Sequence, residues 1–116
     1  NGRVKTFFDR DIKQAQFKGK KIEDIFNDIV KELPSRIYLS FDADALDPKL
    51  CPNTGTPVAG GFETDEILFL LEKVVESGRQ IIAFDLNETG NNEWDANVSS
   101  RLLFRICNLV KSNGLV

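Results

Sequence analysis

The sequence predicts an α/β domain in three layers, a parallel sheet of three strands held between three helices. Three observations carry that expectation. Candidate elements alternate strand, helix, strand, helix, strand, helix, an order that favours parallel pairing through right-handed crossovers. The second and third strand candidates are unbroken apolar runs, as expected where helices cover both faces of a sheet. Each of those runs ends in acids, and open α/β sheets carry their functional loops beyond the carboxyl ends of the strands.

The elements follow in order. Val4 to Phe8 is short, β-favouring and partly alternating, which reads as an edge strand. Asp9 to Lys21 is charged and contains Gly19, so it reads as a connection with one helical turn around Asp11 to Phe17. Ile22, Ile25, Phe26, Ile29, Val30 and Leu33 then recur at helical spacing, the apolar stripe of an amphipathic helix. Glu23 and Asp24 suit its positive end, Lys31 its negative end, and Pro34 stops it. Arg36 to Phe41 reads as a buried strand. Thr64 is the expected N-cap of the next helix, whose apolar face runs from Ile67 to Val75 before Gly78 closes it. Ile81 to Phe84 is the third strand, ending at Asp85. A last helix is expected from about Ala96 to Lys111, capped by Asp95 or Asn97, with Val98, Leu102, Ile106, Leu109 and Val110 inward.

Bulk properties narrow the function. At 116 residues the chain suits a single domain, 1–116, with a small core. Hydrophobic residues at 41% and charged residues at 28% are ordinary globular values, which argues against disorder and against a coiled coil. The net charge of −3 and the scattered Lys and Arg make nucleic acid an unexpected partner; the Lys18, Lys20, Lys21 cluster reads as a solvated loop. No apolar run reaches the roughly 18 residues of a membrane span, and the opening NGRVKTFF lacks a signal-peptide layout. Cys51 and Cys107 have no CxxC spacing and fit reduced thiols, so the expected location is the cytoplasm. The chain has no histidine and no methionine, and its start at Asn1 reads as part of something longer.

The stretch Arg36 to Phe62, RIYLSFDADALDPKLCPNTGTPVAGGF, concentrates the chemistry. Asp42 and Asp44 stand at i and i+2 where the apolar run ends, and in an extended chain such residues point to one side. Converging carboxylates on a rigid strand end suit a hard divalent cation such as Mn²⁺ or Mg²⁺; the competing reading is one acid capping a turn and the other solvated. Asp47, before Pro48, reads as a turn former. From Ala43 to Glu63 no periodic pattern appears, and a loop of that length in a compact domain is usually functional. Pro48, Pro52 and Pro57 stiffen it. Beyond the third strand, Glu88 reads either as a solvated acid or as a group facing a cationic substrate. Asn91, Asn92 and Trp94 either line a pocket or pack their loop down.

These residues carry a resemblance. SFDADALDP, TGTP and the paired glycines, in that order between Leu39 and Phe62, resemble the signature of the ureohydrolases: arginase, agmatinase, formiminoglutamase and guanidinobutyrase. FDLNE, from Phe84 to Glu88, resembles the family's DxxE element. The resemblance implies an arginase-like fold, of which this chain is the C-terminal part of the catalytic domain, and a binuclear Mn²⁺ hydrolase attacking a guanidino or formimino carbon with metal-activated hydroxide. Position by position, Asp42 bridges two Mn²⁺ ions, Asp44 chelates one, Glu88 pairs with the cationic group of the substrate, and Thr56 supports the pocket. The catalytic and metal-binding residues expected here are thus Asp42 and Asp44. The family's other ligands come from an upstream histidine and a DxHxD element. Neither is in this chain, which is therefore expected to be inactive alone. Where the family carries an Asn-Pro turn after its DxxE, this chain has Thr89, Gly90, Asn91 and Asn92, which leaves the substrate class open. The resemblance also implies a homo-oligomer when full length. Two other readings fit a DxD motif: a metal-dependent phosphate or nucleotide-sugar enzyme, and a non-catalytic fragment or paralogue.

Overall fold

The structure, a computed structural model, describes residues 2–112. In chain order it contains α1 (Asp9–Phe17), α2 (Ile22–Lys31), β1 (Arg36–Asp42), a 3-10 turn (Ala43–Ala45), α3 (Thr64–Glu76), β2 (Gln80–Asn87) and α4 (Glu93–Ser112). β1 and β2 pair in parallel, with Leu39 opposite Phe84, Ser40 opposite Asp85 and Asp42 opposite Asn87. The α/β class and the parallel pairing are as the sequence predicts.

The number of strands is not. Among the described residues the sheet has two strands, and four α-helices replace the expected three. Val4 to Phe8 is irregular, and Val4 is 78% exposed. A β-favouring run becomes a strand only where an edge offers its N–H and C=O groups partners, and no described strand pairs with this segment. The connection expected after it is mostly helix. Asp9 and Asp11 fall in the first turn of α1, where the helix dipole favours acids, and Ile12 is buried against α2.

Side chains alternate across the strands and decide where the core sits. Ile37, Leu39 and Phe41 share a face with Ile81, Phe84 and Leu86, and that face packs on Leu68, Leu71 and Val74 of α3 and on Leu102, Ile106 and Val110 of α4. The opposite face carries Tyr38, Ser40, Ala83 and Asp85, and no described helix covers it; Tyr38 is 59% exposed. Burial of both faces was the expectation from the apolar runs, and the structure covers one. A β-bulge between Ile37 and Tyr38 adds a residue to β2, so that Ile82 is left without a register partner and is half exposed.

A second cluster, Ile12, Ile25 and Phe26 with Phe69 and Leu70, fastens α1 and α2 to α3. Phe26 is wholly enclosed there, and burial of a side chain of that size contributes roughly 1.5–3 kcal/mol. Lys73 of α3 reinforces the join, with Nζ 2.7 Å from Glu23 of α2 and 5.1 Å from the Phe69 ring centre.

Both later helices start differently from the sequence expectation. Glu63, not Thr64, caps α3, in a reciprocal capping box in which its backbone N–H donates to Glu66 at 2.9 Å. α4 begins at Glu93, so Asp95 and Asn97 lie inside it instead of capping it. Asp95 is turned inward and fully buried.

Candidate active site

The two strands end side by side, Asp42 opposite Asn87, so everything emerging from their carboxyl ends meets at one rim. β1 leads into the loop from Ala43 to Glu63 and β2 into the turn that carries Glu88. This is the placement expected for function in an open parallel sheet.

The long loop is shaped by its own closure. Leu46 bridges to Phe62; the Phe62 N–H donates to the Ala45 carbonyl and the Asp47 N–H to the Phe62 carbonyl, both at 3.0 Å. Gly61, at φ +106°, makes this closure possible. A Cβ there would stand 2.8 Å from the Ala45 carbonyl oxygen and 2.9 Å from the Asp47 nitrogen, both backbone atoms. Leu46 and Cys51 are buried beneath the loop and tie it to the main core. Asp47 is the turn former expected, its carboxylate accepting from the Lys49 N–H at 3.0 Å.

Each site residue predicted from sequence lies at this rim. Asp42 is the last residue of β1 and is exposed, with extended backbone at φ −101° and ψ 128°. Asp44 sits in the 3-10 turn that follows. The i, i+2 alternation that would align their side chains in a strand therefore stops at Asp42; the turn, not the pleat, directs Asp44. Asp44 Oδ2 accepts a hydrogen bond from Thr56 Oγ1 at 3.2 Å, joining the first acids of the loop to its TGTP segment. Glu88 lies just past β2, and its Oε2 reaches Gly55, standing 3.5 Å from where a Cβ on that glycine would be. Thr56 thus ties Asp44 to the TGTP segment, and Glu88 Oε2 lies beside Gly55 of the same segment.

Glu88 is held in an unusual way. Its φ is +60°, and it is the one non-glycine residue with positive φ among those described. The left-handed conformation costs an L-residue roughly 1–2 kcal/mol. A glutamate kept there by its surroundings is the kind of strain that gathers at functional sites.

Two further acids, Asp85 at the end of the third predicted strand and Asp95 from the predicted cap, are held by hydrogen bonds. Asp85 lies on the open sheet face and accepts hydrogen bonds from Tyr38 Oη, Ser40 Oγ and Asn87 Nδ2. The Tyr38 hydrogen bond first, then that from Ser40, holds its carboxyl below the usual carboxylate range. Asp95 accepts from Asn53, as described below. Trp94 belongs to α4 and donates its indole N–H to the Lys49 carbonyl at 3.4 Å. Both readings of Trp94 are met: its indole ties the loop down, and its half-exposed ring also lines a shallow pocket with Asn92 and Asn97. Asn92 turns the chain into α4, its Oδ1 accepting from the Trp94 N–H at 2.9 Å.

The donor set can be tested against a metal. Asp42 and Asp44 offer hard carboxylate oxygens of the kind Mn²⁺ and Mg²⁺ take. Yet among the described residues no three His, Cys, Asp or Glu side chains gather closely enough to hold a metal ion. The chemistry fits a divalent cation and the number of donors falls short of one. No described helix is long and apolar enough to cross a membrane.

Comparison with known proteins agrees with the geometry. The model of the Arginase family matches residues 3–109. An arginase of Coccidioides posadasii is 38% identical over 109 residues, which cover 94% of this chain and 32% of that protein. An N(1)-aminopropylagmatine ureohydrolase of Thermococcus kodakarensis is 38% identical over 84 residues, covering 70% of this chain and 29% of that protein. In fold, the chain resembles the crystal structure of a hypothetical agmatinase from Burkholderia thailandensis, with a TM-score of 0.72, 24% identity, and coverage of 97% of this chain and 38% of that one. The chain spans about a third of the length of such relatives.

Proposed function

This chain belongs to the arginase family, and from that premise we propose that it supplies part of the active site of a manganese-dependent hydrolase acting on the guanidino or formimino C–N bond of a small molecule. The observation that carries the proposal is Glu88, strained at φ +60° with its carboxylate against the TGTP loop, where Thr56 in turn donates to Asp44. A carboxylate on a constrained backbone at the same strand-end rim as hard metal donors is what a cationic amidine needs: charge to bind it, and a bound position near the reacting centre.

In this proposal Asp42 and Asp44 would hold Mn²⁺ through their carboxylates, together with ligands from beyond this chain. Bound manganese would supply the Lewis acidity that makes water a competent nucleophile near neutral pH. The residues of this chain do the rest. Glu88 pairs with the guanidinium or formimino group and fixes the orientation of its carbon. Thr56 holds Asp44 through its hydroxyl, so the metal-facing oxygens and the substrate-facing carboxylate stay in register. With two carboxylates as its metal donors, the chain by itself is proposed to be inactive; the complete protein is proposed to be cytoplasmic and homo-oligomeric, with neither nucleic acid nor membrane as partner. A DxD-type phosphate enzyme is disfavoured because the groups that converge at this rim are acids.

The test uses the complete polypeptide. Mn²⁺ is titrated calorimetrically, then urea or ammonia release is followed from a panel of guanidino compounds and formiminoglutamate. Mn²⁺-dependent release from one class, lost in Glu88→Gln, is expected. No Mn²⁺-dependent release from any compound refutes the reading.

A further inference from the structure

We infer that Asp95 is a positioning residue for this site: its buried carboxylate clasps the loop that bears Thr56 to the turn that bears Glu88, and so sets where those two side chains stand. The inference rests on the proposed roles of Thr56 and Glu88 and adds a residue that touches neither metal nor substrate.

Asp95 is completely enclosed in the first turn of α4. Its hydrogen-bond donors among the described residues come from Asn53 alone: the backbone N–H to Oδ2 and Nδ2 to Oδ1, each at 2.9 Å. Enclosing a carboxylate without a cation is unfavourable, even at a helix N-terminus that offsets part of the cost. A residue needed only to pack the start of α4 would be apolar. The third member is Gly90. A Cβ there would stand 2.4 Å from the Asn53 carbonyl oxygen and 2.5 Å from Asp95 Oδ2, so the turn from β2 lies against the clasp as closely as a glycine allows. Nearby, Thr89 Oγ1 lies 3.3 Å from Ser99 Oγ and adds a second tie from this turn to α4.

The consequence is geometric. Asn53 precedes Thr56 in the same loop, Gly90 follows Glu88 in the same turn, and the two segments next meet where Glu88 Oε2 reaches Gly55. Asn53 bonded to the Asp95 carboxylate, with Gly90 packed against both, leaves the Glu88-to-Thr56 spacing little freedom, and a displacement of about 1 Å at a reacting centre can cost on the order of 100-fold in rate.

The test is made on the complete polypeptide loaded with Mn²⁺. Asp95→Asn keeps one of the two acceptors, Asp95→Ala removes both, and Asn53→Ala removes the Nδ2 arm alone. The clasp predicts graded losses in kcat/KM, about 10-fold for Asn53→Ala and Asp95→Asn and about 100-fold for Asp95→Ala, expressed chiefly in kcat. The double variant Asn53→Ala/Asp95→Asn should lose less than the product of the single losses. Independently of activity, amide hydrogen exchange should quicken at residues 53–56 and also at 88–90, beyond any change in the global rate. Activity that merely follows the folded fraction, or exchange that quickens in one segment or in neither, overturns the inference. If Asp95→Ala does not fold, the two milder variants give the same readings. Glu88→Gln is run in parallel: unchanged kcat/KM there refutes the substrate role of Glu88, and the exchange data alone then decide the clasp.

Discussion

Replacing Gly61 by alanine isolates the closure on which the long loop depends. Two effects add at this position. The φ of +106° is one that L-residues rarely adopt, costing about 1–2 kcal/mol. The new Cβ would also press on the Ala45 carbonyl oxygen and Leu46 carbon at 2.8 Å and on the Asp47 nitrogen at 2.9 Å. These are backbone atoms of the paired segment and cannot rotate away, so overpacking adds about 1–3 kcal/mol. Gly61→Ala should therefore lose about 2–5 kcal/mol in sum, a large share of the 5–15 kcal/mol typical of a domain. Urea unfolding measures it: with an m-value of about 2 kcal/mol/M, the midpoint falls by about 1–2.5 M. Gly78→Ala is the control, because φ there is +83° but nothing lies within 4 Å of the added carbon. It should show the backbone penalty alone, about 1–2 kcal/mol. Equal losses in the two variants, within about 0.5 kcal/mol, would refute the role assigned to the close approach at Gly61.

Three further outcomes are expected. Glu88→Gly relieves the left-handed strain and should raise stability by up to about 1 kcal/mol in thermal unfolding; a loss of stability would show that Glu88 is not strained. Asp85 has its carboxyl held low by Tyr38 and then Ser40, so its contribution is full above the unfolded value of about 3.9 and is lost as pH falls through the lower folded value. Stability profiles of wild type and Asp85→Asn should accordingly run separated and parallel above about pH 4 and converge as pH falls below it, and profiles that stay parallel through that acid range would contradict this. Burial pushes the Cys51 thiol up while Cys107 is exposed, so iodoacetamide should modify Cys107 first, with peptide mapping as the readout; prior labelling of Cys51 would mean that the loop opens.

How much of this was legible in the sequence follows from the range of the forces involved. Local signals carried far: the apolar spacing from Ile22 to Leu33 specified α2, Pro34 stopped it, and the acids closing Arg36–Phe41 and Ile81–Phe84 marked the rim where the site lies. Asp42 and Asp44 stood out by their spacing at a strand end, and Thr56 and Glu88 through contiguous motifs that resemble those of a known family. Those signals depend on neighbours a few residues apart, which one stretch of chain contains. Errors arose where partners are distant. Val4 to Phe8 has the composition of a strand and no edge to join, and the apolar runs of the sheet suggested two covered faces where one is covered.

The site divides the same way. Sequence supplied its chemistry: hard carboxylates at strand ends, a stiffened loop, an acid suited to a cation. Tertiary structure alone decided that Thr56 donates to Asp44, that Glu88 is held left-handed against Gly55, and that Asp95 is a buried clasp on Asn53 and not the helix cap it resembled. Each of those facts joins residues from 12 to 42 positions apart. The first forms when the long loop closes on itself and the others when the parallel sheet sets the two strand ends side by side, and no short-range preference of the intervening residues encodes them.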